Sequence, residues 1–157
     1  GLSFTGNFNC CEPIVAATFN TELIEEYGES VGKECLLSKI TGWYAPGVNM
    51  HRSPFAGRNF EYYSEDSLLS GKAAAATIQG AGKYGAECYM KHFAFNDVEA
   101  HREDNGPCTW VNEQAIREIY LKAFEIAITE PVVDLKYLKY EYEWKPIYRS
   151  DYIDKTE

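Results

Sequence analysis

From Asn20 onward Leu23, Tyr27, Val31 and Cys35 recur every four residues, which lays an apolar stripe along a helix reaching to about Ser38. Asn20 suits the N-cap, and Glu22, Glu25 and Glu26 lie near the positive end of the helix dipole. Trp43, Tyr44 and Ala45 then form a short apolar run that reads as a buried strand, ended by Pro46. A second unit of the same kind follows. Asp66 is placed to cap a helix over 67–79, in which Leu68, Leu69 and the alanines from Ala73 to Ala76 offer a surface small enough to approach a sheet closely. Gly80 and Gly82 mark its end. Over 87–92, apolar Cys88 and Met90 alternate with polar neighbours in the manner of a short strand. Asn112 caps a third helix to about Thr129, with Ile116, Ile119, Tyr120, Ala123 and Ala127 on one face. The order helix, strand, loop, helix, strand, loop, helix predicts an α/β protein with parallel strands, whose functional loops lie at the strands' C-terminal ends.

The two loops so placed are polar. In the first, over 45–66, Pro46, Gly47, Pro54 and Gly57 recur too closely for a helix, and Asn49, His51, Arg52, Arg58, Asn59, Glu61, Glu65 and Asp66 supply donors and acceptors. The second, over 91–102, carries Lys91, His92, Asn96, Glu99 and Arg102. Elsewhere the pattern is weaker. Residues 1–19 read as irregular, with a short apolar piece at Ile14 to Ala17 that suits packing on a sheet. Asp104, Asn105, Gly106 and Pro107 form a turn cluster. From Pro131 the chain changes: Leu138, Tyr140, Tyr142 and Trp144 alternate with Lys139, Glu141 and Glu143, the period of a half-buried strand. Such a strand fits either an added sheet edge or a pairing surface for another chain.

Composition narrows the function classes. The 157 residues suit one domain, and a net charge of −9 with scattered lysines and arginines argues against tracking nucleic-acid phosphates. No apolar run reaches the roughly 18–20 residues of a membrane span and no signal-peptide pattern opens the chain, so a cytoplasmic protein is expected. The chain starts without Met, so a natural start upstream is an expectation. Five cysteines without CxxC spacing indicate reduced thiols. Gly80-x-Gly82-x-x-Gly85 spells a dinucleotide fingerprint, but it follows a helix and precedes a strand, the reverse of what phosphate binding requires. His51, His92, His101 and Glu99 lack metal-ligand spacing, and Cys88 or Cys108 lacks an oriented partner to act with His92 as a nucleophile.

Four separated segments, GVNMHRSPFAGRNFEYYSED, SGKAAAATIQG, KHFAFNDVEAHR and VNEQAIREIYLKAFEIAI, resemble in order and spacing the N-terminal domain of glycoside hydrolase family 3, the β-glucosidases. The resemblance covers roughly residues 10–130. It implies a (β/α)8-type, TIM-like barrel and retaining hydrolysis of terminal β-linked glucose or a related sugar, without metal or organic cofactor. It also implies that Arg58 contacts the sugar, that Lys91 and His92 hydrogen-bond its hydroxyls, and that Arg102 adds a further contact from the loop holding Asn96 and Glu99.

The same resemblance places the family's nucleophilic aspartate on a later strand, its acid/base further downstream and a sugar-binding aspartate upstream of Gly1. Ser150-Asp151-Tyr152 imitates the nucleophile motif without the strands that should precede it, and reads as coincidence. A complete barrel takes about 250 residues. The expectation is therefore a partial barrel of two to three βα units over 1–130 and a divergent Tyr-rich tail over 131–157. The resulting function is a β-glucosidase-like domain inactive alone, or else a non-catalytic module that binds sugar or self-associates through open sheet edges.

Overall fold

The computed structural model describes residues 8–103, 106 and 108–130. Asp104, Asn105 and Pro107 of the turn cluster, the alternating Leu138–Trp144 segment and the Ser150-Asp151-Tyr152 imitation lie outside the described residues.

Helix α1, Glu12–Ala16, starts with Pro13 in its first turn and buries Val15 and Ala16. Its five residues are too few to show a helical period, so the sequence pattern passed it over. Helix α2, Thr21–Leu37, begins at the expected cap, where Asn20 Oδ1 accepts from Leu23 N at 3.1 Å. The buried line of α2 is Ile24, Gly28, Gly32 and Cys35, while Leu23 is exposed and Tyr27 and Val31 pack at the margin. The expected stripe is thus rotated by one residue. Glycine carries no hydrophobic signal, yet it decides which face is covered: a Cβ at Gly28 would stand 2.2 Å from Thr77 O, and one at Gly80 would stand 2.0 Å from Glu25 O.

Helix α3, Ser67–Gly82, is capped by Asp66, whose Oδ1 accepts from Leu69 N at 2.6 Å. It lies between α2 and the C-terminal helices, so the Ala73–Ala76 run is buried and Gly80 and Gly82 stay helical instead of ending the element. Gly80 of the fingerprint therefore serves the packing of α3 on α2. The expected third helix opens with Asn112 Oδ1 accepting from Ala115 N at 2.8 Å. It runs as α4, Glu113–Ala115, then a π-helical turn over Ile116–Tyr120, then α5, Lys122–Thr129, which buries Ala123, Phe124, Ile126 and Ala127.

Strand β1, Gly42–Trp43, pairs in parallel with β2, Glu87–Cys88, in the register Gly42 to Glu87 and Trp43 to Cys88. Both are shorter than the apolar runs suggested. Ala45 N turns back to Trp43 O at 2.9 Å and Pro46 has no N–H to give, so the ladder is interrupted. It resumes with Lys91 N to Pro46 O at 3.0 Å and Val48 N to Lys91 O at 2.8 Å. Each strand is followed by a loop and a helix, and the core between sheet and helices gathers Val15, Ile24, Val48, Met50, Tyr63, Ile78, Cys88, Met90 and Phe124. No helix among the described residues is long and apolar enough to cross a membrane.

Candidate functional site

The broken ladder delivers the two polar loops side by side. In the first, Gly47 faces the 3₁₀ turn Asn59–Glu61: a Cβ there would lie 2.4 Å from Glu61 O. His51 Nε2 stands 2.9 Å from Asn59 O and 2.8 Å from Tyr62 O; two carbonyl neighbours require that nitrogen to carry its proton and donate. Asn59 Nδ2 donates to Ser53 O at 2.8 Å, so this loop is stapled internally around the residues that present Arg58 and Glu61. Crosslinks then join the loops. Asn49 meets both backbone groups of His92, Asp97 Oδ1 accepts from Met50 N at 2.6 Å, and Glu99 N donates to Ala56 O at 2.9 Å.

On this frame the four residues singled out from sequence come together. Arg58 Nε donates to Glu61, whose other oxygen lies 2.8 Å from Lys91 Nζ. Arg58 Nη1 reaches Glu99 at 3.2 Å, and Arg58 Nη2 donates to His92 Nε2 at 2.9 Å. A guanidinium can only donate, so Nε2 accepts and the ring proton sits on Nδ1, facing Tyr62 Oη at 3.2 Å. Tyr62 Oη in turn donates to Asn96 O at 3.0 Å. Arg102 Nη1 lies 2.8 Å from both Glu99 oxygens. The side chain of Lys91 is 14% exposed, that of Arg58 27% and that of Arg102 53%, so Arg102 forms the rim. Lys91 is paired with Glu61 and lies 5.2 Å from the centre of the Tyr44 ring. The arginine and glutamate of GRNFE do form the ion pair that a purely structural role would give them, but within a larger network.

The electrostatics follow from these contacts. Burial, then the positive charges of Arg58 and Lys91, push His92 down to about 4, in keeping with its neutral tautomer. Burial alone would raise the Glu99 carboxyl, but hydrogen bonds from Arg102, Asn96 and Arg58 outweigh it and hold Glu99 at about 2. Against burial, Glu61 is likewise lowered by Arg58 and Lys91. One carboxyl behaves oppositely. Glu12 is 7% exposed, accepts from Gly47 N at 3.4 Å through one oxygen, finds no hydrogen bond for Oε2 among the described residues, and is pushed up to about 8 by burial. Glu12, Asn49, Tyr62 and Asp97 were missed as site residues; Glu12 sits in a stretch without periodicity, and nothing in the local sequence distinguishes the others from loop and core.

The arrangement offers charged donors beside ionised acceptors within one small area, which suits hydroxyl groups that must give and receive hydrogen bonds at once. Among the described residues no group of three or more His, Cys, Asp or Glu is arranged to hold a metal ion. Burial pushes the Cys88 thiol up to about 12, far from a reactive thiolate.

Residues 12–137 match the Glycosyl hydrolase family 3 N terminal domain. The chain belongs to glycosyl hydrolase family 3. It is 44% identical over 130 residues to β-glucosidase A of Butyrivibrio fibrisolvens, covering 83% of this chain and 15% of that protein. It is 45% identical over 115 residues to a β-glucosidase of Ruminococcus albus, covering 73% and 12%. Among solved structures, β-glucosidase 3B from Thermotoga neapolitana in complex with α-D-glucose aligns with a TM-score of 0.72 at 44% identity, covering 76% of this chain and 16% of that one. DesR, a β-glucosidase from Streptomyces venezuelae in complex with D-glucose, aligns at 0.76 and 32% identity, covering 80% and 16%. The chain thus spans well under a fifth of each of these family-3 relatives. What it shares with them is a partial α/β piece, mostly helical with a small parallel sheet.

Proposed function

We propose that this family-3 chain supplies the sugar-recognition part of a β-glucosidase-type site, with Arg58, Lys91, His92 and Arg102 hydrogen-bonding the hydroxyls of a terminal β-linked glucose or related sugar. The observation that carries the reading is the meeting of Arg58, Lys91 and His92 in one network on two crosslinked loops. The glucose-bound state of the T. neapolitana and S. venezuelae relatives supports it. Charge-assisted hydrogen bonds contribute about 1.5–3 kcal/mol each, so two or three of them orient a small polar ligand.

Cutting the glycosidic bond needs more. A retaining glycosidase uses two carboxyl groups about 5–5.5 Å apart, one protonated to release the leaving oxygen and one ionised to attack the anomeric carbon. Glu61 and Glu99 are ionised and engaged by cations, and Glu12, though protonated at neutral pH, is buried beneath the loops. In this reading the cutting pair comes from outside the described residues, and the 157-residue chain binds sugar without hydrolysing it. Titration with glucose, followed by tryptophan fluorescence, should give a saturable change that weakens at least about tenfold in Lys91→Ala, the worth of one charged hydrogen bond. An unsaturable response in the folded protein contradicts the proposal. With an aryl β-glucoside no aglycone should be released; turnover lost in Asp151→Asn would place the nucleophile in this chain after all.

A further inference from the structure

His92 is held from behind, through its backbone, by a side chain of the first loop. Asn49 Oδ1 accepts from His92 N at 2.7 Å, and Asn49 Nδ2 donates to His92 O at 3.0 Å. Asn49 is 3% exposed and follows Val48, whose N–H gives the last backbone bond of the ladder, to Lys91 O. Its side-chain amide therefore continues the ladder by one rung where the backbone has stopped, offering a donor and an acceptor to one residue as a neighbouring strand would.

We propose that Asn49 is a positioning residue for the sugar site, fixing the His92 backbone so that the imidazole meets Arg58 through Nε2 and Tyr62 through Nδ1. The chemistry selects asparagine. Aspartate would set a carboxylate against the His92 carbonyl, leucine would leave both backbone groups unsatisfied in a buried place, and glutamine is one methylene too long for the space between Val48 and His92. Asp97 works in the opposite direction, accepting from Met50 N, and so keeps the residue after Asn49 in register with the second loop.

The consequence for sugar affinity rests on the function proposed above, whereas the placement of His92 does not, and the tests keep the two apart. In NMR titrations of the ring, wild-type His92 should titrate well below an ordinary histidine. In Asn49→Ala it should move up by about one pH unit or more as the ring leaves Arg58 and gains solvent, with Asn49→Ser between them. A His92 titration unchanged in the folded Asn49→Ala protein overturns the proposal. Should neither variant fold, hydrogen exchange in the wild type decides: the His92 amide should exchange at least about a hundredfold more slowly than an unstructured one, and exchange at the unstructured rate overturns the proposal. If glucose does not bind the wild type while His92 responds as stated, the sugar reading fails and the positioning role stands.

Discussion

Replacing Glu61 by glutamine tests whether the cation network is a cooperative unit. Glu61 accepts from Arg58 through one oxygen and from Lys91 through the other, with side-chain exposures of 17%, 27% and 14% for the three residues. Glutamine keeps one acceptor oxygen but must turn its NH2 toward the second cation. One charge-assisted bond is lost, about 1.5–3 kcal/mol, and a largely buried cation loses its counter-charge. Breaking a fully buried pair costs about 3–5 kcal/mol; at this intermediate burial we expect about 2 kcal/mol at neutral pH. In urea unfolding followed by circular dichroism, with a slope of about 1–3 kcal/mol/M, the midpoint should fall by roughly 1 M with the slope unchanged. Lys91→Met and the double variant complete a cycle, whose coupling should exceed about 1 kcal/mol. The carboxyl of Glu61 is lowered in the folded state, so its contribution is present above its ordinary value near 4.5 and is lost as pH falls through the folded value. The gap between wild type and Glu61→Gln should therefore close in acid. A loss below about 0.5 kcal/mol, or strict additivity of the two substitutions, would mean that Arg58, Glu61 and Lys91 do not act as one unit.

Two further outcomes follow from packing and burial. Glu12 is raised from 4.5 to about 8, so the folded state holds its proton more tightly; stability is greatest below pH 4.5 and declines until the folded value is passed. Glutamine mimics the protonated acid and still accepts from Gly47 N, so Glu12→Gln should be more stable than wild type by up to about 3 kcal/mol at pH 7 and equal to it near pH 4; a pH-independent difference contradicts this. Gly80→Ala should cost about 1–3 kcal/mol in thermal unfolding, because its Cβ would meet backbone atoms of Glu25 and Glu29 at 2.0 and 2.7 Å that no rotamer change can move; a neutral result would mean that α2 and α3 are less closely packed.

Capping chemistry made the helix starts legible: Asn20, Asp66 and Asn112 each accept the hydrogen bond that their position at the head of an apolar period implied. The parallel pairing followed from the alternation of elements, and the loops that receive Arg58, Lys91, His92 and Arg102 followed from the polar residues after each strand. What stayed hidden depends on contacts distant in sequence. The α2 face was misplaced by one residue because Gly28 and Gly32 are covered by α3 without being hydrophobic. Helix α1 was too short to show a period, and nothing near Glu12 in the sequence announces the buried bond it accepts from Gly47 N, 35 residues away. Asn49 reads as an ordinary loop amide, and its role depends on a partner 43 residues away. Tyr62 is linked to the site by a hydroxyl that meets His92 and Asn96, while its ring is otherwise in the core.

If the loops following β1 and β2 form the proposed sugar subsite, amide and side-chain chemical shifts recorded during a glucose titration should report it. Saturable shifts are expected at the Arg58 guanidinium and at the Lys91 and His92 amides, lost in Arg58→Ala while the rest of the spectrum stays folded. Saturable shifts confined to other surfaces, or none at those three residues at sugar concentrations that saturate the tryptophan fluorescence, would contradict a subsite there.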